Sequence, residues 1–209
     1  MKNILIVSGH TNLDASVANK KILEVLAECL PEAEIVRLDR LYPDFRIDVA
    51  AEQARLLKAD VVVLQFPIFW YSAPSLLERW MEETFVHGFS HGRTGDKLSG
   101  KKLVLSITTG APEALYAKDG PVGFALDDFL ACFKATCRLC RMEYAGEIHT
   151  CGVSYASRTS EEQIESQNKA STVCKIHKKT YGIPKFSYGC FFEGTFGITP
   201  LRKLASMLR

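Results

Sequence analysis

Residues 61–74 read Val61-Val62-Val63-Leu64-Gln65-Phe66-Pro67-Ile68-Phe69-Trp70-Tyr71-Ser72-Ala73-Pro74. The first six form an apolar, β-branched run with one polar break at Gln65. Such a run suits a strand buried on both faces of a parallel sheet. Pro67 ends it, so 67–73 is a loop. Pro74 then opens a helix through about Val86, because proline is tolerated in a first helical turn. Phe69, Trp70 and Tyr71 therefore stand together in a loop, where side chains usually meet water. A flat ring system would cover them by stacking. A dimer interface or a small satellite core would also cover them.

Working outward, residues 4–7 are a short apolar strand ending in the polar cluster Ser8-Gly9-His10-Thr11-Asn12. Val17, Ile22, Val25, Leu26 and Cys29 follow at helical spacing, and Pro31 stops them. Residues 34–38 read as a strand. Residues 49–58 read as a helix with Ala50, Ala54 and Leu57 on one side. A polar, Gly-rich loop covers 89–102, and 103–108 is another buried strand, broken by Thr109-Gly110-Ala111-Pro112. Residues 122–142 read as a helix and 144–153 as a last strand. Residues 160–181 read as a polar helix with Ser160 as N-cap. This alternation predicts an α/β fold: a doubly wound, five-stranded parallel sheet with helices on both faces. Ligands of such sheets bind beyond the carboxyl ends of the strands. Here those ends are the loops at 8–18, 67–73 and 109–116.

The 209-residue chain is long enough for one core and short for two. Its net charge of +2 argues against a nucleic-acid partner. Seven cysteines, an odd number, argue against a disulfide framework. No apolar run approaches the ~20 residues of a membrane span, and the start lacks a signal peptide, so the expected compartment is the cytoplasm. The expected organisation is a domain over 1–181 and an extension over 182–209. That extension holds Phe186, Tyr188, Phe191, Phe192 and Phe196, then Arg202, Lys203 and Arg209. It is expected to cover the domain or a dimer mate, with membrane contact left open.

The first loop runs from a strand into a helix start, where free amides and the helix dipole favour phosphate. His10, Thr11, Ser16 and Asn19 would add donors; helix capping by Asn12, Asp14 or Ser16 would use the same residues. The loop has neither the nucleotide-hydrolysing P-loop pattern nor Gly-x-Gly-x-x-Gly. In the third loop, Gly110 permits close backbone approach and Thr108 and Thr109 supply donors. An ordinary strand-to-helix turn has the same composition.

Three segments together resemble the NAD(P)H:quinone oxidoreductase family, which includes ancillary oxidoreductases of bacterial potassium-efflux systems. They are Gly9-His10-Thr11…Ser16…Asn19, Phe66-Pro67-Ile68-Phe69-Trp70-Tyr71…Pro74…Glu78-Arg79-Trp80, and Thr108-Thr109-Gly110…Tyr116. The match runs over about residues 1–155. The resemblance implies a flavodoxin-like fold and a bound flavin, FMN ahead of FAD, with NAD(P)H as co-substrate. It places His10, Thr11, Ser16, Ala18 and Asn19 at the phosphate end. Pro67, Ile68, Phe69, Trp70 and Tyr71 would line the isoalloxazine, with backbone N–H groups at its polar edge. Thr108, Thr109 and Gly110 would close the other side, with Tyr116 as the catalytic residue. It further implies ping-pong hydride transfer to a quinone or similar small acceptor, and a homodimer.

The sequence departs from the family at Val122, where animal-type members carry a histidine, and at Ala111-Pro112, where a second glycine is usual. Two other functions fit the loops: a flavodoxin-type electron carrier, and a flavin-binding regulatory subunit of a transporter. The near-neutral charge argues against the carrier, and the basic, aromatic tail keeps the regulatory subunit in view. Cys137-Arg138-Leu139-Cys140 lies within a predicted helix and reads as structural, although Cys132, His149 and Cys151 lie nearby. His87 and His91 are too few for a metal, so no metal site is expected.

Overall fold

Strand β3 (Val61–Pro67) is buried along its whole length and forms the middle of the sheet. The computed structural model describes residues 2–154. β1 (Ile4–Ser8), β2 (Glu34–Arg37), β4 (Lys102–Thr108) and β5 (Glu143–Thr150) complete an all-parallel sheet of order β2-β1-β3-β4-β5. Consecutive strand side chains point to opposite faces. Leu5 and Val7 accordingly join one core with Leu64, Phe66, Leu103 and Leu105, while Ile4 and Ile6 join another with Val61 and Val63. The first core is covered by α3 (Val49–Lys58), α4 (Ser75–Thr84) and α5 (Ala131–Cys140); the second is covered by α1 (Val17–Cys29). The expected doubly wound sheet is the observed one.

The strand register decides what meets at the carboxyl end. Ser8 pairs with Arg37 on one side and Gln65 on the other, and Gln65 pairs with Ser106. One row across three central strands is therefore polar and buried where an apolar sheet would have continued. Gly9 follows this row. A Cβ there would lie 2.7 Å from Leu77 Cβ, so glycine is what lets α4 approach β1.

Several elements differ from the reading of the sequence. Strand β2 stops at Arg37, and Leu38–Leu41 forms a short helix, α2. Pro74 caps α4 rather than entering it. In α3, Ala50, Ala54 and Leu57 face solvent, while Glu52 and Leu56 are fully buried. Hydropathy misses this face because its inner residue is a carboxylate. Glu52 accepts from the Tyr42 hydroxyl at 2.6 Å and Trp80 Nε1 at 2.9 Å, and pairs with Arg55. The long helix expected over 122–142 is only α5, preceded by a 3-10 turn at Leu126–Leu130. Gly123 takes φ +74, and Asp128 accepts from the Ala125 amide at 2.9 Å, which starts the turn late. Arg141, at φ 56, ends α5. Beyond Thr150 the strand gives way to a segment bonded to Thr109 and Ala111. The helix over 160–181 and the extension over 182–209 lie outside the described residues.

Candidate functional site

The polar row at the carboxyl end leads into a chain of hydrogen bonds with a fixed direction. The Ser8 hydroxyl donates to Gln65 Oε1 at 3.3 Å, and Gln65 Nε2 donates to Asn19 Oδ1 at 2.5 Å. The Thr108 hydroxyl donates to the same Asn19 oxygen at 3.2 Å. Asn19 Nδ2 and its backbone amide then donate to Ser16 Oγ at 3.1 and 3.2 Å. Asn19 is 4% exposed and ties β3, β4 and the start of α1 to one point. Because Ser16 accepts two bonds, its own proton is directed away from the network. The network ends in an outward donor.

Ser16 is the N-cap of α1, so the Val17 and Ala18 amides that follow have no intrahelical acceptor. These amides, the Ser16 proton and the helix dipole are groups of the kind that attract an anion. His10, earlier in the same loop, is 6% exposed. Its Nδ1 accepts from the Asn12 amide at 3.0 Å, which leaves Nε2 carrying the proton of the neutral ring. Burial lowers the His10 pKa; Asp39 opposes this and Arg37 adds to it. Thr11 is exposed beside it.

The second loop is pinned at both ends. The Ile68 amide donates to Thr108 O at 2.8 Å, fixing the loop to β4. Phe69 and Ser72 exchange two backbone bonds of 3.0 Å and so close a two-residue hairpin over Trp70 and Tyr71. Such tight hairpins take positive φ at both central positions, which suits glycine or asparagine. Here Trp70 has φ 49 and Tyr71 has φ 64. Side chains of this size in the left-handed region carry strain of about 1–3 kcal/mol each, which persists where the surroundings impose it. Ser72 donates to Glu78 and anchors the hairpin to α4. Trp70 is 94% exposed and Tyr71 half exposed.

The third loop meets the other two. The Thr109 amide donates to Thr150 O at 3.1 Å, its hydroxyl donates to Ala111 O at 2.8 Å, and Gly152 donates to the same oxygen at 2.8 Å. Gly110 passes Ser154, where a Cβ would come within 3.2 Å. Glu113 pairs with His149 of β5 at 3.1 Å and holds the short turn that carries Tyr116. Burial raises the Tyr116 pKa against the lowering effect of Thr109, and Cys151 and Tyr71 add smaller upward contributions. The phenol, already protonated at neutral pH, holds its proton more firmly still. His10 and Phe69 meet edge to face at 5.6 Å, and Tyr71 and Tyr116 both pack on Phe129, at 5.0 and 6.3 Å.

All fourteen residues singled out in the sequence thus lie in or next to the three loops that leave β1, β3 and β4. Ala18 contributes its backbone, Pro67 is the last residue of β3, and Thr11 and Gly110 are at the rim. Sequence reasoning missed Gln65, whose only signal was a polar break in an apolar run. It also missed Phe124 and Phe129, whose rings lie 5.9 Å apart in a segment read as plain helix. Among the described residues no cluster of three or more metal-ligating side chains exists, and Cys137 and Cys140 are buried. Burial raises both thiols, Cys137 to about 11.

An all-parallel sheet of this order, with a polar turn leading into a helix after β1 and an aromatic loop after β3, defines a flavodoxin-type α/β protein. The chain belongs to the family of the flavodoxin-like fold, whose profile matches residues 2–173. It is 37% identical over 167 residues to the glutathione-regulated potassium-efflux system ancillary protein KefG of Cronobacter sakazakii, covering 80% of this chain and 89% of that one. It is 37% identical over 172 residues to the uncharacterized NAD(P)H oxidoreductase YdeQ of Bacillus subtilis, covering 81% and 84%. Among solved structures, general stress protein 14 of Treponema denticola, in complex with FMN, superposes with a TM-score of 0.77. The identity there is 29%, covering 85% of this chain and 99% of that one.

Proposed function

We propose that this protein is an FMN-dependent NAD(P)H oxidoreductase that reduces quinones or similar small acceptors. The observation that carries the proposal is the directed network Ser8–Gln65–Asn19–Ser16, which ends in a donor at a helix N-terminus, in a loop whose His10 meets Phe69 of the strained aromatic hairpin. The donors suit a phosphate and the hairpin suits a flat ring, so the residues fit FMN. The relative named as an NAD(P)H oxidoreductase and the neighbour solved with FMN support the same reading.

FMN, when bound, supplies the two-electron chemistry between the nicotinamide and the acceptor. Ser16, the Val17 and Ala18 amides, His10 and Thr11 would bind its phosphate, and Asn19 fixes the position of Ser16. Pro67, Ile68, Phe69, Trp70 and Tyr71 orient the ring, and Thr108, Thr109 and Gly110 close the far side. Tyr116, protonated at neutral pH and pushed further that way by burial, would offer a hydrogen-bond donor to the ring. Phe129 and Phe124 shield that edge from water.

The protein works as a homodimer in the cytoplasm. Trp70, almost fully exposed, supports a partner surface, and the free described cysteines support a reducing compartment. Light scattering on the purified protein tests the dimer. Among the described residues no helix is long and apolar enough to cross a membrane. The potassium-efflux relative favours a second reading, in which flavin binding regulates a transporter and turnover is secondary. Steady-state reduction of a soluble quinone by FMN-loaded protein decides between them: sustained turnover supports the enzyme, and a single stoichiometric reduction supports the regulator.

A further inference from the structure

We propose that Asp39 is a positioning residue for the phosphate end of the flavin site, holding the first loop in its binding shape from the end of β2. This inference rests on the FMN reading above. Asp39 lies in α2, 26 residues beyond the loop it touches. Its side chain is 7% exposed, and its Oδ2 accepts the Leu13 amide at 3.0 Å. Leu13 begins the 3-10 turn Leu13–Ala15, so its amide has no partner within that turn. The same carboxylate takes a two-pronged contact from Arg37, through Nε at 3.1 Å and Nη2 at 2.7 Å. That geometry fixes the carboxylate plane as well as its charge.

The remaining arm of Arg37 reaches back to the loop. Its Nη1 lies 3.0 Å from Asp14 Oδ1, and Arg40 Nη2 lies 2.5 Å from Asp14 Oδ2. Two adjacent loop residues, Leu13 by its backbone and Asp14 by its side chain, are therefore tied to one guanidinium–carboxylate pair. The two ties are unequal. Asp39 is buried, whereas the side chains of Asp14 and Arg40 are 49% and 64% exposed, so the Asp39 tie dominates. On one side of the tied pair stands His10; on the other stand Ser16 and the open amides of α1. Holding this turn in place before a ligand arrives lowers the ordering cost of binding. The benefit falls on the phosphate, because the aromatic loop and the Tyr116 loop are anchored by other bonds.

The test compares FMN with riboflavin, which lacks the phosphate, by fluorescence titration of the apoprotein. The expected result for Asp39→Ala is an FMN Kd raised by about tenfold, the size of one lost charge-assisted bond, with the riboflavin Kd changed by less than about twofold. Asp39→Asn keeps an oxygen for the Leu13 amide and is expected to recover part of the FMN preference. Arg40→Gln is expected to leave both affinities within about twofold, since exposed pairs contribute little. Equal losses for the two flavins in a folded Asp39→Ala, or an unchanged FMN Kd, would overturn the proposal. If circular dichroism shows Asp39→Ala unfolded, Asp39→Asn decides by the same ratio. Failure of the underlying reading looks different: wild-type protein would then show no preference for FMN over riboflavin.

Discussion

Asn19 uses both ends of one amide, accepting from Gln65 and Thr108 and donating to Ser16. Its replacement by alanine leaves the buried Gln65 amide without an acceptor. Asn19→Ala is expected to cost about 1–3 kcal/mol of stability by urea unfolding. Asn19→Asp keeps the shape and the backbone bond to Ser16 but loses the side-chain donor, so it is expected to weaken FMN binding more than it weakens the fold. His10 gives a pH prediction at the same scale. Its folded pKa is lowered from 6.5, so the native state prefers the neutral ring. The stability this residue supports is present above 6.5 and is lost as pH falls through the folded value. By NMR, His10 of the apoprotein should titrate below 6.5. Added FMN should move its midpoint upward, because a phosphate beside the ring favours the cation. A midpoint that FMN leaves unchanged would place the phosphate elsewhere.

Among the elements, the hairpin after β3 stores strain and α3 stores a buried charge. Trp70 is almost fully exposed, so replacing it removes little packing and relieves a left-handed backbone. Trp70→Gly is expected to stabilise the apoprotein by about 1 kcal/mol in thermal melts while lowering quinone turnover. Equal turnover in this variant would make the hairpin a structural ornament. Glu52 binds α3 to α4 through Trp80 and to the end of α2 through Tyr42. Glu52→Ala strands buried donors and the Arg55 charge, and it is expected to cost about 3–5 kcal/mol by urea unfolding. The sequence showed the strands and most of their helices, because 61–66 and 103–108 are apolar runs that only a covered parallel sheet explains. It did not show the inner face of α3, since a carboxylate satisfied by tyrosine and tryptophan looks like a surface residue. It did not show the late start of α5 either. That start depends on Gly123 and the Asp128 turn, which are local backbone matters.

On the scale of the molecule, the site arises from register. Parallel pairing sets Ser8, Gln65 and Ser106 in one row, and the loops that leave β1, β3 and β4 then open on the same side. The loops themselves were legible, because Ser8-Gly9-His10-Thr11, Pro67 and Thr109-Gly110-Ala111-Pro112 each break an apolar run at the point where a strand must end. Their mutual anchoring was not, because the links through Asn19, Phe129 and Asp39 join residues far apart in the chain. The near-neutral net charge of +2 leaves recognition to these local groups rather than to a long-range field. The most direct measurement is an anaerobic mixture of FMN-loaded protein with NADPH, and separately NADH, followed by visible absorption. The account predicts rapid bleaching of the flavin by at least one nucleotide and recovery of colour on adding a quinone. Protein that takes up no FMN, or a bound flavin that neither nucleotide bleaches, would contradict it.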